Sequence, residues 1–164
     1  ALVGNSAGGN MALAAALLAK KRHAPAVRAL VLLWPVTSAS SDWKSYALYG
    51  GERFLTAPLM KWMFGKYVSD PAQRGNDLMS PVRASAERLR GLPATLIVVA
   101  ENDILRDEGE AMGRRLDEAG VEVTTVRFNG VVHDWGMLNG FAALHPTRTL
   151  IRLVGSVLRD YLEK

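Results

Sequence analysis

A serine with glycines two residues away on either side stands near the start of this chain, in Gly4-Asn5-Ser6-Ala7-Gly8, and Gly9 follows. Three apolar residues precede the element and an Ala/Leu-rich stretch of helical composition follows it. A strand that turns straight into a helix through G-x-S-x-G reads as a nucleophile elbow, whose tight turn lifts the serine hydroxyl clear of the backbone. Crowding in such a turn gives Gly4 and Gly8 a mechanical reason, and Gly9 lets the helix approach the strand. The Ala7 N–H would point where negative charge develops on a substrate carbonyl. The bland alternative is a Gly-rich turn whose serine only caps the helix. Nucleotide readings fare worse. A phosphate loop would end in Gly-Lys-Ser/Thr, but Asn10 and Met11 follow Gly9, and a dinucleotide loop would need glycine where Ser6 stands.

A serine nucleophile needs a base, and the base needs an acid to orient it. The chain has three histidines. His23 follows Lys20, Lys21 and Arg22, a cationic cluster suited to a helix C-terminus. His145 precedes Pro146 in an expected loop. His133 comes after a β-branched run at 121–128, with Asn129-Gly130 expected to turn the chain back toward the sheet edge that carries Ser6. It serves either as the base or as a structural loop residue. Acids follow another apolar run at 95–100: Glu101, Asp103, Asp107 and Glu108. Asp103 falls within reach of a neighbouring loop, as orienting acid or as N-cap. Asp107 and Glu108 sit in a first helical turn and read as structural.

The elements that must position these groups alternate. A strand stub at 1–3 leads to a helix at 10–22, and apolar runs at 29–34 and 95–100 suit strands covered on both faces. A helix at 105–119, stopped by Gly120, leads to the strand at 121–128, and an amphipathic helix covers 147–162. This is an α/β pattern with a mostly parallel sheet flanked by helices. The stretch at 36–80 breaks the alternation and holds most of the aromatics, among them Trp43, Tyr46, Trp62, Phe64 and Tyr67. It is expected either to pack a helix on the core or to wall an apolar pocket above the sheet, where ligands of open α/β sheets bind.

Composition removes other chemistries. With no cysteine there is no disulfide, thiolate metal site or cysteine nucleophile, and the histidines lack metal-ligand spacing. A net charge of +4, spread over separated basic residues, describes solvated faces and not a nucleic-acid surface. The apolar run at 11–19 is too short for stable membrane insertion. One domain, a cytoplasmic location and no cofactor are the expectations at this length of 164 residues.

Four blocks give these residues a family resemblance: G-N-S-A-G-G-N at 4–10, L-M-S-P-V-R-A at 78–84, G-L-P-A-T-L-I-V-V-A-E-N-D-I-L-R-D-E-G at 91–109 and N-G-V-V-H-D-W at 129–135. In that order they resemble the bacterial hormone-sensitive-lipase-like carboxylesterases of the α/β-hydrolase superfamily, and the order serine, acid, histidine agrees. The resemblance implies Ser6 as nucleophile, Asp103 as acid, His133 as base and Ala7 as an oxyanion donor. It implies acyl esters as substrates, with Trp62, Phe64 and Trp135 as guesses for substrate contacts. The same triad would serve an acyltransferase or amidase, and a non-catalytic binder can share the fold. Departures are Asn5, where the family often has Asp or Glu, and Asp134-Trp135, where it often has Gly-Phe. The family's upstream H-G-G oxyanion segment has no counterpart. The chain is therefore expected to be the C-terminal part of an α/β-hydrolase domain, nearly inactive alone. Its first strand would be an open edge, a place where a homodimer could form.

Overall fold

The computed structural model describes residues 1–68 and 70–163. In chain order the elements are β1 (Leu2–Asn5), α1 (Ala7–Lys21), β2 (Ala29–Leu33), α2 (Lys44–Tyr49), α3 (Ala57–Tyr67), α4 (Ala86–Leu89), β3 (Ala94–Asn102), α5 (Arg106–Glu118), β4 (Val123–Val132) and α6 (His145–Leu162). All strand pairs are parallel, in the order β1-β2-β3-β4.

Every residue of β2 is buried, as an uninterrupted apolar run requires in a sheet covered on both faces. Its side chains divide by the two-residue period of a strand. Leu30 and Leu32 pack with Leu13 and Leu17 of α1 and with Met112 and Leu116 of α5. Val31 and Leu33 pack on the opposite face with Trp34, Trp135 and Leu150 of α6. Each fully buried Leu or Val contributes roughly 1.5–3 kcal/mol of transfer free energy, so the two layers hold the sheet from both sides. Leu150, Leu153, Val154, Val157 and Leu158 give α6 one apolar face by their three- and four-residue spacing.

Three differences from the sequence expectation bear on the site. Helix α1 starts at Ala7 and not at residue 10, because Gly8 and Gly9 take up helix immediately after the elbow. Strand β4 runs through Asn129-Gly130 to Val132, so these residues form an irregularity within the strand and not a turn. Gly130 has φ 73 there, and its N–H donates to the Glu101 carboxylate at 2.7 Å. Helix α6 starts at His145, with Pro146 in its first turn, where a missing N–H costs nothing.

The aromatic stretch builds a third layer over the C-terminal ends of β2 and β3. Tyr46, Leu55, Met60, Phe64 and Met79 pack there with Val36, Ile104 and Leu105. Helix α3 opens on Thr56, whose hydroxyl accepts the Leu59 N–H at 3.4 Å. Among the described residues no helix is long and apolar enough to cross a membrane.

Candidate active site

Ser6 is the single residue between β1 and α1, with φ 52 and ψ −121. Left-handed φ is costly for a residue with a Cβ and persists only where neighbours over-determine it. Here they do. The Ser6 N–H donates to the Leu33 carbonyl at 2.9 Å, and its carbonyl accepts from Gly9 at 3.0 Å and Val36 at 3.1 Å. A Cβ on Gly4 would collide with the Gly8 carbonyl, and one on Gly9 would stand 2.7 Å from Pro35 Cβ. Asn10 clasps the next loops, its side-chain amide donating to the carbonyls of Val36 and Met79 at 3.1 and 3.0 Å. Ala7 is the first residue of α1, so its N–H has no acceptor within the helix and stays available beside the serine.

His133 follows the last residue of β4 and reaches both partners. Its Nε2 lies 3.0 Å from Ser6 Oγ and its Nδ1 2.7 Å from Asp103 Oδ2. The other Asp103 oxygen, Oδ1, accepts the Leu105 N–H at 2.9 Å, which fixes the carboxylate plane. Asp103 and His133 are both buried, and the Trp34 ring stands edge-on to the imidazole at 6.5 Å. A carboxylate facing Nδ1 holds the proton on that nitrogen, which leaves Nε2 to accept from the serine hydroxyl. The structure thus brings Ser6, Asp103 and His133 into one chain of hydrogen bonds. His23 lies exposed beyond the far end of α1, and His145 is exposed in the first turn of α6.

Against Ser6 and Ala7 opens an apolar pocket of about 390 Å³, walled by Met11, Met60, Trp62, Met63, Phe64 and Met79. Trp62 is an exposed rim residue, whereas Phe64 is buried and belongs to the third packing layer as well. Trp135 does not line this pocket. It is 1 % exposed and stacks on Trp34 and Phe128, with ring centroids 4.4 and 5.4 Å away. The positive φ of Asp134 swings the chain after His133 so that residue 135 enters the layer beneath α6.

Two acids carry more than their sequence reading gave them. Glu108 is fully buried, and its Oε1 accepts the N–H groups of Thr37 at 2.7 Å and Ser38 at 3.0 Å, bracing the loop after β2. Its Oε2 is buried without a hydrogen-bond partner among the described residues. Burial holds this carboxyl well above the ordinary glutamate range. Burial likewise pushes the Tyr46 phenol up, and the nearby Glu108 and Asp103 add to it. A sequence signal for Glu108 existed: Leu105, Glu108, Met112 and Leu116 repeat at three- and four-residue steps and share the core face of α5. Asp134 is the second acid. Its Oδ1 accepts from Trp34 Nε1 at 2.6 Å and from Asn5 Nδ2 at 3.1 Å, joining the residue before Ser6 to the residue after His133.

Comparison with known proteins agrees with this architecture. The thermostable esterase of Pseudomonas putida, a crystal structure, superposes with a TM-score of 0.96 at 47 % identity over 98 % of this chain and 50 % of its own. Carboxyl esterase 2 of the fungus Tuber melanosporum gives 0.94 at 32 % identity, covering 98 % of this chain and 53 % of its own. Ethyl acetate hydrolase of Pseudomonas putida is 38 % identical over 136 residues, 82 % of this chain and 42 % of that protein. The chain spans about half the length of the relatives it matches. A family model described as alpha/beta hydrolase fold matches residues 1–137. With a parallel sheet, an elbow at the end of β1 and esterases as its relatives, the chain belongs to the α/β-hydrolase fold family, in its hormone-sensitive-lipase-like branch.

Proposed function

We propose that the protein carrying this chain is a serine carboxylesterase that cleaves short- to medium-chain acyl esters of small molecules. One observation carries the reading: a buried imidazole bridges an acid and a serine on a strained elbow, at 2.7 and 3.0 Å. In the reaction Ser6 Oγ attacks the ester carbonyl while its proton passes to His133 Nε2. Asp103 keeps the imidazole oriented and stabilises the imidazolium that forms. The Ala7 N–H receives the oxyanion, and the family resemblance puts further donors upstream of the elbow, in the part of the relatives that this chain does not span. Collapse breaks the ester C–O bond and His133 returns the proton to the leaving alcohol. Water, deprotonated by the same imidazole, then releases the acid and restores Ser6.

Support for the substrate class comes from the pocket. About 390 Å³ walled by methionines and aromatics next to Ser6 suits a small apolar acyl or alcohol group. A relative named ethyl acetate hydrolase fits a small ester. The test is fluorophosphonate labelling of the protein, read by peptide mapping, with Ser6→Ala alongside. A single adduct on Ser6, absent in the variant, is expected. A folded protein that takes no adduct would replace the esterase with a binding protein, and acyl transfer would show as product formed on a competing alcohol.

A further inference from the structure

Two polar side chains at the site belong neither to the hydrogen-bonded chain of Ser6, His133 and Asp103 nor to the apolar pocket: Asn5 and Asp134. Asp134 directly follows His133 and has φ 59. One oxygen, Oδ1, accepts from Trp34 Nε1 at 2.6 Å and from Asn5 Nδ2 at 3.1 Å. The other, Oδ2, lies 3.8 Å from His133 Nε2, the nitrogen that faces Ser6. A single carboxylate therefore ties together the residue before the serine, the end of β2 and the histidine loop.

We propose that Asn5 and Asp134 are a matched pair of positioning residues, in which the Asn5 amide and the Trp34 indole hold a second carboxylate beside His133 Nε2, so that an acid is tolerated at position 5 or at position 134 but not at both. The inference rests on the serine-esterase reading of the site. The reason is the sign of the contact. The Asn5 amide donates, whereas an aspartate there would set a carboxylate oxygen against Asp134 Oδ1 at hydrogen-bond distance. Two carboxylates this close cannot both stay ionised without cost. Where the two acids do not share a proton, relief comes from displacing Asp134, whose backbone carries the neighbouring His133 with it. With glycine at 134 an acid at position 5 faces no opposing charge, and φ 59 is a conformation glycine adopts freely. While the pair stands, Oδ2 is held too far from Nε2 for a hydrogen bond, which leaves Nε2 to Ser6.

A double-mutant cycle in the whole protein that carries this chain tests this: wild type, Asn5→Asp, Asp134→Gly and the double variant. Each is measured for kcat and KM on p-nitrophenyl acetate, for the rate of fluorophosphonate labelling at Ser6 and for melting temperature. In the wild-type background Asn5→Asp is expected to lower kcat and labelling about tenfold or more. KM should stay within roughly twofold, because neither residue lines the pocket. In the Asp134→Gly background the same substitution should change kcat by less than about twofold. An Asn5→Asp protein that fails to fold, with a double variant that folds and labels, also supports the pairing. Equal losses in the two backgrounds, a loss confined to KM, or two unfolded proteins would overturn it. Wild-type protein without turnover or labelling would remove the esterase reading and this inference together, whereas an active wild type with an additive cycle removes this inference alone.

Discussion

Asp103→Asn is a sharp test of the hydrogen-bonded chain, because the structure limits what an asparagine can do there. Oδ1 accepts the Leu105 N–H at 2.9 Å and Oδ2 faces His133 Nδ1 at 2.7 Å. If the amide keeps its oxygen toward Leu105, its NH2 group faces Nδ1. The imidazole proton must then sit on Nε2, which can no longer accept from Ser6, and that arrangement costs about 10⁴-fold in turnover, or roughly 5 kcal/mol. The amide can instead flip and present oxygen to Nδ1, setting two buried donors against each other at Leu105 for about 1–3 kcal/mol. Exchanging a charged acceptor for a neutral one costs about another 1–1.5 kcal/mol. The flipped form is thus the less costly route, and the expected loss in kcat is about 10²–10³-fold with little change in melting temperature. Turnover of p-nitrophenyl acetate and the labelling rate at Ser6 both read it. A folded variant within about tenfold of wild type would refute Asp103 as the group that orients His133.

Other substitutions separate chemistry from packing. Glu108→Gln keeps an acceptor for Thr37 and Ser38 but removes the ionisation that burial opposes. Because the folded carboxyl titrates above its unfolded value, wild-type stability falls as pH rises from the unfolded pKa through the folded one. The variant should gain on wild type by about 1.4 kcal/mol for each unit of that difference, and urea melts at about pH 5 and about pH 8 would show it. A pH-independent gap would mean Glu108 ionises freely. Gly9→Ala forces a Cβ against the rigid Pro35 ring and should cost about 1–3 kcal/mol and slow labelling, while a change under about 0.5 kcal/mol would show that the contact is slack. Phe64→Ala should lose about 3–5 kcal/mol as a core truncation. The exposed Trp62→Ala should change stability by less than about 1 kcal/mol yet raise KM for aryl esters. An unchanged KM would take Trp62 out of the substrate's path.

Reading the sequence worked where one local signal decides one outcome. Apolar runs bounded by proline became β2 and β3, because a strand covered on both faces selects apolar residues along almost all of its length. The Gly4–Gly9 element became a strand-turn-helix junction because steric exclusion leaves few other shapes for it. Local signals failed where the outcome depends on a partner far along the chain. Asn129-Gly130 has turn chemistry, yet β4 continues through it as an irregularity, where Glu101 on the neighbouring strand accepts the Gly130 N–H. Trp135 looked like a pocket residue only by its place after His133. Its burial follows from the φ of Asp134 and from the Trp34 surface, neither of which composition reveals. For Asn5 the partner is 129 residues away, so only the folded chain displays the pair.

Where the strain sits also explains why β2, which supplies none of the three candidate catalytic groups, matters to the site. A serine at φ 52 would relax if its flanks could move. Its N–H is fixed by Leu33 and its carbonyl by Val36, so the segment around Trp34 and Pro35 grips the elbow from outside the helix. Trp34 itself has φ 36, is fully buried, and fastens Asp134 through its indole N–H. Glu108 then fastens the next two residues, Thr37 and Ser38. Each strained or charged group is thus held by one rigid connector at the end of a fully buried strand. Such an arrangement keeps Ser6 Oγ and His133 Nε2 at 3.0 Å before any ligand arrives, and little of the binding energy need be spent on assembling them.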